Sequence, residues 1–284
     1  MPLMKTGAIL KLARENGFGV LATNVLNYET ILCSIRAAEA ERLPVIIMYY
    51  PGYESFIPAE AVALLTRYEA AKTWVPVGLH FDHSKSVEQA MWGLRTGYLS
   101  VMIDGSAHPL EDNMRDTATV VRAARAMDVE VEAELGFVGR GLNPDDVNNP
   151  NKFTVPGEAE RFVRETGVDF LAISYGNAHG DYISTPMLDF ARLSEIRERV
   201  NIPLVLHGSS HIPDEQVRES VRRGILKVNV ATEYFQTFYK GLYGVMKREQ
   251  PGDTYKSAVE EIRQGMIEFI QAKMRVLNPA GFSL

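Results

Sequence analysis

Eight short apolar runs, each followed by a more polar segment, constrain this chain more than any other feature. They are FGVLATN (18–24), PVIIMYY (44–50), VPVGLHFDH (75–83), LSVMID (99–104), VEVEAELG (129–136), VDFLAISYG (168–176), IPLVLHG (202–208) and GILKVN (224–229). Between them, segments such as NYETILCSIRAAEAER, AEAVALLTRYEAAKTW, SVEQAMWGLRTG and NMRDTATVVRAARAMD place apolar residues at three- and four-residue intervals. That is the spacing of a helix with one buried face. Strands alternating with helices imply a parallel sheet with crossover helices, and eight is the number that closes a barrel. No Gly-x-Gly-x-x-Gly follows the first run, which counts against an open dinucleotide-binding sheet. The length of 284 residues is close to the ~250 typical of one such barrel. The predicted fold is therefore an α/β TIM (β/α)8 barrel forming a single domain over 1–284.

Composition narrows the function classes. A net charge of −6 with no sustained Lys/Arg run argues against nucleic acid as a partner. Cys33 is the only cysteine, so neither an intrachain disulfide nor a thiolate metal cluster is available. The N-terminal stretch is too polar for a secretory signal, and no run approaches the ~20 apolar residues of a membrane span. The cytoplasm is the expected location. One segment, GFVGRGLNPDDVNNPNKFTVPGE (136–158), is too long for an ordinary strand-to-helix connection of ~2–6 residues. Because it leaves the C-terminal end of a strand, it reads as an active-site lid, with a passive surface loop as the alternative.

Polar residues gather at the predicted strand ends. Asp82 and His83 close the third run, Asp104 the fourth and Glu134 the fifth. His179 lies just past the sixth, His207 closes the seventh and Asn229 the eighth. In a barrel these ends share one rim. Singly, each histidine could be structural; jointly, His83, His179 and His207 suggest a catalytic metal site, since three imidazoles leave an open coordination position. His80, two residues before Asp82, reads as a hydrogen-bonded core histidine one layer deeper. His207 and His211 have HxxxH spacing, but Gly208-Ser209-Ser210 between them reads as a loop, so that spacing is taken as accidental. The glycine admits close approach of a ligand and the serines add donors, as in barrel phosphate sites after strands 7 and 8. A metal beside a phosphate cradle suits enediolate chemistry on a ketose phosphate. Asp82 is the candidate proton shuttle; Asp104 and Glu134 read as carboxylates that orient the imidazoles.

The blocks PVII (44–47), HFDH (80–83), SVMIDGS (100–106), VEAELG (131–136), AHGDY (178–182), LVLHGSS (204–210) and KVNVATE (227–233) run in order along nearly the whole chain. Together they resemble the class II, zinc-dependent fructose/tagatose-bisphosphate aldolases. The resemblance implies zinc on His83, His179 and His207, with other divalent metals as alternatives, and Asp82 handling a substrate hydroxyl proton. It further implies that Gly180, Gly208, Ser210, Asn229 and Thr232 hold dihydroxyacetone phosphate, often with a monovalent cation, and that Asn24 lies near substrate. A homodimer or homotetramer acting in carbohydrate metabolism is the expected form. Departures from the family pattern are His211 for a glycine, Asn177 for a threonine and Tyr50 for a small hydroxyl residue. Gly141-Leu142 falls where a mobile glutamate is usual, leaving Asp145 or Asp146 as substitutes. The aldehyde half of the site therefore reads as altered. Rival readings are a Schiff-base aldolase on Lys227, a metal-dependent epimerase or isomerase, and a non-catalytic companion barrel. For Lys227, burial against a carboxylate is the simpler expectation.

Overall fold

The computed structural model describes residues 3–248 and 254–284. The first half of the chain runs α1 (Thr6–Asn16), β1 (Val20–Asn24), α2 (Tyr28–Glu41), β2 (Val45–Tyr49), α3 (Ala59–Ala70), β3 (Val77–Ser84), α4 (Val87–Thr96), β4 (Ser100–Ile103), α5 (Leu110–Ala126) and β5 (Glu130–Leu135). It continues with α6 (Pro144–Asn148), α7 (Pro156–Thr166), β6 (Phe170–Ile173), α8 (Phe190–Arg199), β7 (Leu204–Leu206), α9 (Asp214–Arg222), β8 (Ile225–Val230), α10 (Thr232–Arg248) and α11 (Tyr255–Leu277). All eight apolar runs form strands, and these close into a parallel barrel in sequence order, β1 pairing with both β2 and β8. The fold is a TIM (β/α)8 barrel.

Two strands, β6 and β7, are less than half as long as their apolar runs, for local reasons. β6 stops at Ile173 because Ser174 exchanges hydrogen bonds with Thr154 instead: Thr154 N–H donates to Ser174 O at 2.8 Å, and Ser174 N–H donates to Thr154 Oγ1 at 2.8 Å. β7 stops at Leu206, and Gly208 two residues on has a left-handed φ of 62°. Segment 136–158 is not one continuous loop. It holds α6 and a 3-10 turn at Pro150–Lys152, and it ends where Pro156 begins α7, a favoured place for proline. Asp146 Oδ2 accepts from Arg140 N–H at 2.9 Å, while Lys152 Nζ reaches Asp146 at 2.7 Å and Asp145 at 2.5 Å.

Strand alternation aims Glu130, Glu132 and Glu134 toward the same side of β5. Glu130, lowest of the three, accepts from Gly7 N–H at 2.8 Å in α1. A second polar path rises from the same helix: Thr6 Oγ1 lies 2.7 Å from Ser100 Oγ, which lies 2.8 Å from His80 Nδ1. His80 is thus a buried, hydrogen-bonded interior histidine. At the other end of the chain, α11 packs along α2. Its Arg263 is tied to Glu29 at 3.1 Å.

Candidate active site

The strand ends meet at one rim around an open cavity of about 380 Å³. Asn24, Tyr50, Tyr53, Asp82, His83 and Lys85 line one part of it. Val138, Arg140, His179, Gly180, Gly208, Ser210, Asn229 and Thr232 line another. His83, His179 and His207 each present a ring nitrogen within 4.8 Å of the others, and their ring centroids lie 4.6–5.9 Å apart.

Each imidazole is oriented differently. His83, next to last in β3, has a positive φ of 45° at a register shift between β3 and β4. For a non-glycine residue that backbone costs about 1–3 kcal/mol and signals a site held by its surroundings. Its Nδ1 lies 2.9 Å from Asp104 Oδ2, and Asp104 is also paired with Lys85. Burial raises the Asp104 pKa, but the adjoining His83 and Lys85 outweigh it and hold the carboxyl far below its usual range. His179 Nδ1 donates to Val138 O at 3.1 Å, which turns Nε2 toward the cluster. Burial, reinforced by the two neighbouring imidazoles, pulls His179 down to about 3, so it is neutral at physiological pH.

His207 is held through its other nitrogen. Nε2 donates to Glu132 Oε1 at 2.8 Å, and Glu132 Oε2 accepts from Lys227 Nζ at 2.7 Å, with all three side chains fully buried. His207 Nδ1 and Glu134 Oε2 face each other at 3.2 Å, and neither has a hydrogen-bond partner. Burial opposes charge on His207, but the Glu132 bond and the nearby Glu134 carboxylate raise its pKa to about 9 in the metal-free protein. Once His207 gives up its Nδ1 proton, the two buried atoms are acceptors set side by side, a costly arrangement that a cation would satisfy. Three imidazoles, deprotonated at the ligating nitrogen, are moreover the donor set of an open catalytic metal site. The residues present therefore fit a divalent metal.

Asp82 is buried between two amides: Asn24 Nδ2 donates to Oδ2 at 3.0 Å and Asn229 Nδ2 to Oδ1 at 3.5 Å. Burial pushes its pKa up, but His83, His207, Lys227 and His80 pull harder, and the net direction is down. The Oδ1 atoms of Asn24 and Asn229 are buried without partners. Those orphaned acceptors suit substrate hydroxyls.

The turn after β7 requires its glycine. A Cβ on Gly208 would meet Ala178 O at 2.1 Å, in addition to the left-handed φ. Ser209 Oγ donates to Asn229 O at 2.7 Å, fastening this turn to β8, while Ser210 Oγ accepts from Glu233 N–H at 3.3 Å in the first turn of α10. Gly180, at φ 84°, has open space where a side chain would be. Tyr182 reinforces the arrangement: its hydroxyl accepts from Ala178 N–H at 2.7 Å and shares its one hydrogen between Ala178 O at 2.8 Å and Gly208 O at 3.0 Å.

Of the site residues expected from the sequence, all but His207, Asp104 and Glu134 line the cavity; His207 joins the imidazole cluster, and Asp104 and Glu134 lie against His83 and His207. His211 stands apart: it turns to Asp181 at 2.9 Å and joins no metal cluster among the described residues. Asp145 and Asp146, offered as substitutes for a mobile acid, are occupied by Lys152 and do not line the cavity. Lys227 is committed to Glu132, as the burial reading anticipated. Glu132 itself escaped the sequence reading. Its signal was the Glu-x-Glu-x-Glu alternation of EVEAE (130–134), which sends three acids into an interior that also holds Lys227.

Comparison with known proteins agrees with this geometry. The family model "Fructose-bisphosphate aldolase class-II" matches residues 4–282. Among solved structures, the YdjI aldolase from Escherichia coli K12 is 31% identical over 97% of both chains, with a TM-score of 0.86. A provisionally assigned fructose-1,6-bisphosphate aldolase from Coccidioides immitis is 31% identical over 96% of both chains, with a TM-score of 0.82. The fructose-bisphosphate aldolase of Campylobacter jejuni, at 23% identity over 97% of this chain and 95% of that one (TM-score 0.78), shares the fold. With its family match spanning nearly the whole sequence, this chain belongs to the class-II fructose-bisphosphate aldolase family.

Proposed function

We propose that this chain is a metal-dependent aldolase that reversibly cleaves a ketose phosphate to dihydroxyacetone phosphate and an aldehyde. The observation that carries this reading is the convergence of three imidazoles and a doubly hydrogen-bonded Asp82 on one cavity beside a glycine-serine turn. His83, His179 and His207 would hold the divalent ion, zinc being well matched to imidazole and other divalent ions able to compete. When bound, it supplies Lewis-acid polarisation of the ketose carbonyl. Asp104 and Glu132 fix the imidazoles from behind, and Glu134 faces the same space.

Asp82 is ionised and fixed by Asn24 and Asn229, so it can accept the proton of the hydroxyl on the carbon that becomes the aldehyde. The electrons of the breaking C–C bond remain with the dihydroxyacetone phosphate fragment, and the reverse transfer from Asp82 accompanies synthesis. Gly180, Gly208, Ser210, Asn229 and Thr232 would cradle the phosphate at the start of α10, where free N–H groups favour an anion. A monovalent cation would fit beside it. A homodimer or homotetramer, cytoplasmic location and a role in carbohydrate metabolism belong to the same proposal. The exposed side chains of Tyr239, Leu242, Tyr243 and Met246, one turn apart along α10, support self-association.

The test is hydrogen–deuterium exchange at the hydroxymethyl carbon of dihydroxyacetone phosphate in D2O, followed by NMR. Exchange that stops with EDTA and returns with zinc is the expected result. Absence of exchange with metal demonstrably bound would favour the companion-barrel reading. That second reading has one observation behind it: among the described residues, Asp82 is the only carboxylate lining the cavity.

A further inference from the structure

Arg140 lies on a segment that is stitched to a candidate metal ligand. His179 N–H donates to Gly139 O at 2.8 Å, and Gly141 N–H donates to His179 O at 2.9 Å. Arg140's own N–H is held by Asp146 at 2.9 Å. The backbone is therefore fixed from two sides, while the exposed side chain lines the cavity. Among the described residues only two cationic side chains other than histidine do so, and the other, Lys85, is paired with Asp104.

The Arg140 guanidinium has no hydrogen bond or ion pair among the described residues. This is not for want of nearby acids. The same loop carries Asp145 and Asp146, but Lys152 takes both. The loop thus neutralises its own carboxylates and leaves one rigidly mounted cation facing a cavity whose single carboxylate, Asp82, is already held by two amides. Such a site attracts an anion.

Its place on the rim says which part of a substrate it would meet. The phosphate cradle is built from the turns after β7 and β8 and the start of α10, with neutral donors. Arg140 follows β5, three strands from β8 around the barrel. On the far side Tyr50 and Tyr53 form an aromatic wall, Tyr50 set edge-on to His83 at 6.2 Å and to Tyr53 at 5.1 Å. That wall occupies the β2 side and leaves the β5 side for a charged group.

We propose that Arg140 determines specificity for an anionic aldehyde, its planar fork taking the carboxylate or phosphate at the end of the substrate remote from the dihydroxyacetone phosphate cradle. A guanidinium is suited to either group because both accept two parallel N–H donors. The inference rests on the aldolase reading above.

The experiment compares wild type with Arg140→Ala and Arg140→Lys in the synthesis direction. Dihydroxyacetone phosphate is offered with glyceraldehyde 3-phosphate, with the carboxylate succinic semialdehyde, or with neutral glyceraldehyde. The readout is the ratio of kcat/KM for each anionic aldehyde to that for glyceraldehyde. Wild type is expected to favour an anionic aldehyde, and Arg140→Ala to reduce that ratio by about 10- to 100-fold, the range of one charge-assisted contact. Arg140→Lys restores part of the ratio. Whichever of phosphate and carboxylate suffers the larger loss identifies the natural group. A ratio unchanged by Arg140→Ala overturns the proposal. So does a wild type indifferent to aldehyde charge, or a rise in KM for dihydroxyacetone phosphate as large as the loss on the anionic aldehydes. Deuterium exchange run in parallel separates the two levels: exchange without altered selectivity sinks the role of Arg140 alone, and no exchange in wild type sinks the aldolase reading with it.

Discussion

Three histidines inside and around the rim, His80, His179 and His207, divide into two electrostatic classes. Burial holds His80 and His179 down at about 3, while carboxylate neighbours hold His207 up at about 9. An unfolded histidine titrates near 6.5. Below that value the unfolded chain gains protons that folded His80 and His179 refuse, so their contribution to stability is lost as pH falls from about 6.5 toward 3. His207 has the opposite sign: its contribution is complete below about 6.5 and is lost as pH rises toward 9. The metal-free protein should therefore be most stable near pH 6.5, with each histidine contributing a slope of up to about 1.4 kcal/mol per pH unit. Urea denaturation with chelator at pH 5.5, 6.5 and 8.5 checks this; a flat or monotonic series counts against it. The three rim histidines were legible because strand ends in a barrel share a rim, whatever their separation in sequence. The opposite charge preferences of His179 and His207 were not, because these depend on Glu132, Glu134 and Val138 O, neighbours contributed by other elements. The same limit hid Arg140: sequence shows two acids, Asp145 and Asp146, and two cations, Arg140 and Lys152, on one loop, not which of them pair.

At the scale of elements, Glu132 joins three strands across the barrel interior, reaching His207 beyond β7 and Lys227 in β8 from its own place in β5. Glu132→Gln leaves the Lys227 ammonium buried without its counter-charge, a defect that costs about 3–5 kcal/mol. Adding Lys227→Met should recover much of that stability, measured by denaturant titration. Metal affinity should stay about 10- to 100-fold below wild type in both variants, because the carboxylate behind His207 is gone. Competition with a chromogenic chelator reads that second quantity. Full recovery of affinity in the double variant would show that Glu132 acts only as a structural counter-ion. The element order was legible throughout, since apolar period and turn residues are local properties. Strand ends were less so. β6 yields its last hydrogen bonds to Thr154, a residue of the long connection, and nothing in the run VDFLAISYG signals that competition.

At the scale of the whole molecule, α10 leaves Tyr239, Tyr243 and Met246 more than half exposed on one face. If that face is an interface between copies, Tyr243→Lys should shift light-scattering mass toward the monomer at micromolar concentration while leaving the far-ultraviolet spectrum intact. An unchanged mass would move the interface elsewhere. Barrel closure, by contrast, needs no partner: β1 pairs with β8 within one chain, Val20 opposite Lys227 and Ala22 opposite Asn229. That seam sets a timetable for biogenesis. About 200 residues separate its two edges, and at the ribosome's ~5–20 residues per second the first strand waits roughly 10–40 s for its last neighbour. Throughout that interval β1 is an exposed edge, open to wrong pairing and to chaperones. Because His207 joins His83 and His179 only after the seventh strand has emerged, the three-imidazole cluster is incomplete until most of the chain has been made.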